Sequence, residues 1–172
     1  MRILLAAALA APTTLFAAGG NDSPPPKPVV TCTGAQVFDK NKGKCVDPQK
    51  SALNRDEIYL AVRQLAYAGR YEDAQALAAF LPEDDSGRLT YMGFTHRKLG
   101  DFEVAMRYYQ EAIDRDPDNI LARSYMGQGF VEAGAPAKAL VQLHQIRAYG
   151  GSGTWSETSL QNAIESGVTY SY

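Results

Sequence analysis

Ser86 to Asn119 reads SGRLTYMGFTHRKLGDFEVAMRYYQEAIDRDPDN, two helix-forming runs parted by Gly100-Asp101. The stretch recurs. Displaced by 34 positions, Tyr91, Met92, Gly93, Gly100 and Ala105 fall on Tyr125, Met126, Gly127, Gly134 and Ala139; displaced by 31 the other way, Gly100, Phe102 and Ala105 fall on Gly69, Tyr71 and Ala74. After Gly150-Gly151-Ser152-Gly153 the register resumes, with Met92, Met126 and Leu160 spaced by 34 and His96, Phe130 and Ile164 likewise. A fixed period of this length marks a row of supersecondary units, each covering the apolar side of its neighbour. The pattern predicts an all-α helix-turn-helix solenoid over 52–172, with units at about 55–85, 86–119 and 120–153 and a capping helix at 154–167.

The helix ends are marked by their own chemistry. Asn54 followed by Glu57 is a variant capping box, opening a helix with Ile58, Ala61, Val62 and Leu65 on one face, which Gly69 closes. A second helix is predicted from Tyr71 to Leu81, ended by Pro82, then helices near 87–99, 102–116, 119–133, 136–148 and 155–166. Gly93 and Gly127 fall inside helices, where glycine costs about 1 kcal/mol against alanine. A close neighbour must need the missing side chain, and the partner helix of the same unit is the expected one.

Upstream the composition changes. Met1-Arg2, the apolar run Ile3 to Ala11 and the small residues Ala17-Ala18-Gly19 predict a cleaved signal peptide over 1–18, too short to span a bilayer of about 20 apolar residues. The protein is therefore expected to be exported, periplasmic or secreted. Residues 19–31, with four prolines, predict a linker. Residues 32–48 hold two short strand-like runs around Asn41 and Gly43, predicting a small hairpin closed by a Cys32–Cys45 disulfide. A zinc site is the weaker alternative, since two thiolates leave the ion half coordinated. The linker predicts helical units that fold without the first 50 residues.

The chemistry of an enzyme is missing. His96 and His144 are the two histidines, and no G-x-S-x-G elbow occurs. Asp114, Asp116 and Asp118 imitate the start of a calcium loop, but Asn119 stands where its glycine belongs and Tyr125 where its bidentate Glu belongs. No catalytic residue, metal ligand or cofactor is expected. A net charge of -2, without long blocks of one sign, gives no nucleic-acid footprint.

Leu89, Met92-Gly93, Gly100, Ala105, Tyr109, Ala112 and Pro117 make the middle unit resemble the tetratricopeptide repeat, in an exported bacterial setting. That resemblance implies a right-handed solenoid and a non-enzymatic adaptor of the cell envelope that binds a protein or extended peptide in a concave groove. The first helix of each unit would line it, placing Tyr59, Arg63, Thr90, Phe94, Arg97, Ser124, Gln128, Val131 and Asn162 toward the groove, with Trp155 at its rim. Phe94 and Trp155 have an alternative role, sealing contacts between helices. Arg63 and Arg97 imply a preference for acidic and apolar segments, and their replacement is expected to spare stability. Cys32, Gly34, Phe38-Asp39 and Cys45-Val46 resemble part of the peritrophin-type chitin-binding module, implying the alternative of a carbohydrate- or wall-binding hairpin with the repeats as spacer.

Overall fold

Asn54 opens the helical region with a reciprocal cap. Its side chain accepts the backbone N–H of Glu57, while the Glu57 carboxylate accepts that of Asn54, satisfying donors that a helix start leaves open. The computed structural model describes residues 32–39, 41–50 and 53–170. Among these, seven helices follow: α1 (Arg55–Tyr67), α2 (Tyr71–Ala78), α3 (Ser86–Leu99), α4 (Phe102–Arg115), α5 (Ile120–Glu132), α6 (Pro136–Ala148) and α7 (Trp155–Ser166). The export segment expected over 1–18 and the linker expected over 19–31 lie outside the described residues.

Helix α2 stops at Ala78, three residues before the expected Leu81. Leu81 precedes Pro82, whose ring disfavours helical backbone at the residue before it. The chain tightens there instead, through Phe80 N–H to Leu77 C=O and Leu81 N–H to Ala78 C=O.

Each odd-numbered helix packs on the even-numbered one that follows, and each even one on the next odd one. Contacts also join α1 to α3, α3 to α5 and α5 to α7, so the four odd helices adjoin one another in sequence order. A buried aromatic core fastens the first three of them. Tyr67, Tyr91, Phe94, Tyr109 and Tyr125 meet edge-on or tilted at 5.0–6.5 Å between ring centres, and the Tyr67 hydroxyl bridges those of Tyr91 (3.1 Å) and Tyr125 (2.5 Å). Buried hydroxyls must find partners; these three find one another. A second apolar cluster of Ala139, Leu143, Ile146 and Leu160 joins α6 to α7, and Phe130 touches both clusters.

The mid-helix glycines are answered differently from one another. A Cβ at Gly93 would lie 2.6 Å from the Tyr109 ring of α4, in the same unit, as expected. At Gly127 the obstacle is Leu160 of α7, again at 2.6 Å, and not a residue of α6. The terminal helix claims that space because α7 packs directly on α5.

Two strands precede the helices. β1 (Val37–Asp39) and β2 (Lys44–Val46) pair antiparallel, with Phe38 opposite Cys45, and Gly43 supplies the left-handed backbone at φ 63°. Cys32 and Cys45 form a disulfide with Cα atoms 5.7 Å apart. This unit does not stand apart. Val37 is buried with the α1 residues, and the Arg70 guanidinium donates to the carbonyls of Cys32 and Gly34.

Candidate functional site

The residues singled out for the groove divide by depth. Tyr59, Arg63, Thr90, Phe94, Arg97, Ser124 and Gln128 are buried, Val131 and Trp155 are half-buried, and Asn162 is exposed. Phe94 is 1% exposed and touches the rings of Tyr67, Tyr71, Tyr91 and Tyr125, so it seals helix contacts, the alternative left open above. Tyr59 lies over Gly87 and edge-on to Tyr91. Thr90 donates to the Ser86 carbonyl and accepts from Asn119; Ser124 meets Ser159 at 3.1 Å, and Gln128 donates to Ser124 at 3.4 Å.

The two arginines are also turned inward. Arg97 is 5% exposed. Its guanidinium donates to Glu132 of α5 and, at 3.4 Å, to the Tyr109 hydroxyl, and lies 5.6 Å from the Phe94 ring centre. Burial works against its charge, but Tyr109 and Glu132 more than offset that and hold its pKa above the ordinary value. Arg63, 3% exposed, lies 5.3 Å from the Tyr67 ring centre. Replacing either is therefore a change in the packed interior, which corrects the expectation that stability would be spared. The preference for acidic partners loses its donors with them.

What gathers at the accessible edge is different. α7 ends at Ser166 and is capped by Gly167 with left-handed backbone (φ 72°), after which Thr169 and Tyr170 meet side chains of α5 and α3. Thr169 Oγ1 donates to the Glu132 carboxylate of α5, and Lys98 Nζ of α3 donates to the Tyr170 carbonyl at 2.7 Å. The Tyr170 hydroxyl accepts from Asn162 Nδ2 at 3.0 Å, and its ring meets Trp155 edge-on at 5.0 Å. Val168 points away, 69% exposed. Of the expected residues, Trp155 and Asn162 are thus brought together, while Arg97 reaches the same place through Glu132.

Lys98, Glu132, Thr169 and Tyr170 escaped the sequence reading. A signal existed for two of them: Lys98 and Glu132 are 34 apart and so hold one repeat position in successive units. Burial, then the neighbouring Arg97, pushes the Lys98 amine down to about 8, and Glu132 restores part of the loss. Arg97 Nη2, Gln128 Oε1 and Trp155 Nε1 are buried without a hydrogen-bond partner among the described residues; Arg123 Nε and Gln142 Oε1, outside the set, share that state. Among the described residues no group of three or more His, Cys, Asp or Glu is placed to hold a metal, and no helix is long and apolar enough to cross a membrane.

No curated protein and no solved structure matches the chain. A family match covers α4 and most of α3: residues 88–119 match the tetratricopeptide repeat.

Proposed function

We propose that this protein is a non-enzymatic adaptor that binds a segment of another protein across α3, α5 and α7. Tetratricopeptide repeats generally mediate protein–protein interaction, and the units on either side of the matched one are read as further repeats in a right-handed solenoid. The observation that carries the reading is the non-helical segment 168–170 lying against Lys98, Glu132, Trp155 and Asn162. A face that holds one such segment has the donors, acceptor and aromatic edge to hold another.

The setting is the bacterial cell envelope. Supporting it are the N-terminal apolar run and the Cys32–Cys45 disulfide, a bond that persists chiefly in oxidising compartments. Affinity capture from envelope extract tests the reading when the parent is compared with Asn162→Arg, which puts bulk and charge on the exposed face. Proteins recovered by the parent should be lost from the variant, and insoluble glycans should retain neither. Equal recovery by both would contradict it, and retention by glycans would favour the hairpin as the binding element.

A further inference from the structure

We propose that residues 168–170 are an internal ligand of this face, and that the partner presents the same chemistry: a hydroxyl residue followed by tyrosine in a non-helical segment. The inference rests on the adaptor reading and names the ligand class it left open. Each contact of the segment has a distinct recognition role. Glu132 accepts from the Thr169 hydroxyl. Lys98 donates to a backbone carbonyl at 2.7 Å, a group any peptide supplies. Asn162 and Trp155 together read a phenol, one through its oxygen and the other through its ring. Val168, 69% exposed, is not read.

The segment is tethered directly to α7 through Gly167, so it faces the site at high local concentration. Short tethers give effective concentrations of about 1 mM. A partner competes with the segment at that concentration, so its apparent affinity is lowered by the fraction of molecules in which the segment leaves the face open. The segment thereby sets a threshold for occupancy.

Trp155 is the chain's one tryptophan, so its fluorescence reports on this site alone. The probe is a synthetic peptide of residues 167–170, GVTY, acetylated and amidated, added to the full chain and to its Tyr170→Ala, Tyr172→Ala double variant, which leaves no hydroxyl residue followed by tyrosine after Gly167. Unchanged helical circular dichroism is expected, because the last helix ends at Ser166. In the variant, acrylamide should quench Trp155 more strongly, and the peptide should bind and reverse that. The parent should bind the same peptide several-fold more weakly, because the tethered segment competes for the face at a local concentration of about 1 mM. Equal binding to both chains would overturn the internal ligand while leaving the adaptor reading intact. Binding to neither would overturn the ligand class, and the Asn162→Arg capture would still judge the adaptor reading by itself.

Discussion

At Gly93 two opposing effects can be weighed. Alanine would favour the helix by about 1 kcal/mol, but its Cβ would stand 2.6 Å from a Tyr109 ring that has no exposed surface. Overpacking of this kind costs about 1 to 3 kcal/mol, so Gly93→Ala is expected to lower stability in urea denaturation. Gly127→Ala should be destabilising to a similar degree, because both Leu160 methyls stand 2.6 and 2.7 Å from the new Cβ and Leu160 also has no exposed surface. A variant at either site as stable as the parent would mean that the facing side chain is free to move. Arg97 is the second test at this scale. Arg97→Met removes the charge-assisted hydrogen bond to Glu132, worth about 1.5 to 3 kcal/mol when the charged group is enclosed, and a longer contact to Tyr109 at 3.4 Å. A melting temperature equal to the parent's would show that relief of the buried charge and of its unpartnered Nη2 offsets that bond.

Among the elements, some starts were legible in the sequence and others were not. Asn54 and Glu57 announce α1 because both halves of the cap lie within four residues. Asn119 was weighed as a failed calcium loop position, yet its Oδ1 caps α5 on Ala122 N–H at 2.8 Å and its amide donates to Ser86 and Thr90 of α3. Those partners are 33 and 29 residues away, so no local pattern encodes them. Asn119→Ala should cost about 1 kcal/mol for the cap and more for the lost ties to α3. Asn119→Asp, which keeps the cap and loses the amide, should fall between, as measured by chemical denaturation; a neutral Asn119→Ala would refute the tie. Segment 168–170 was invisible for a related reason. Three residues have no period, and their contacts depend on where α3 and α5 already stand. The groove residues were misjudged in depth because the repeat pattern gives a direction on each helix and not the thickness of what covers it: Phe94, Gln128 and Asn162 share one position, yet Phe94 and Gln128 are buried and Asn162 is exposed.

For the whole molecule, the perturbed groups set a pH profile with a definite shape. Lys98 ordinarily titrates near 10.5 and gives up its proton near 8 when folded, so between those values the unfolded chain binds more protons and stability rises with pH. Tyr59 and Tyr109, ordinarily near 10, are raised to about 12, chiefly by burial. There the folded chain keeps protons that the unfolded one loses, and stability falls above 10. Denaturation followed across this range should show a rise from about pH 8 and a fall beyond about 10. Lys98→Met should abolish the rise alone. A rise that survives the substitution would assign it elsewhere.

The central claim is that a protein partner binds the face made by α3, α5 and α7. A photo-crosslinking amino acid placed at Thr158, exposed on α7 one turn before Asn162, and separately at Val141, 54% exposed on α6, tests it most directly in living cells. Discrete protein adducts are expected from position 158 that fade when Asn162→Arg is added, and none of those adducts from position 141. Adducts that form from position 141 and not from 158 would put the partner on the even-numbered helices and contradict the claim.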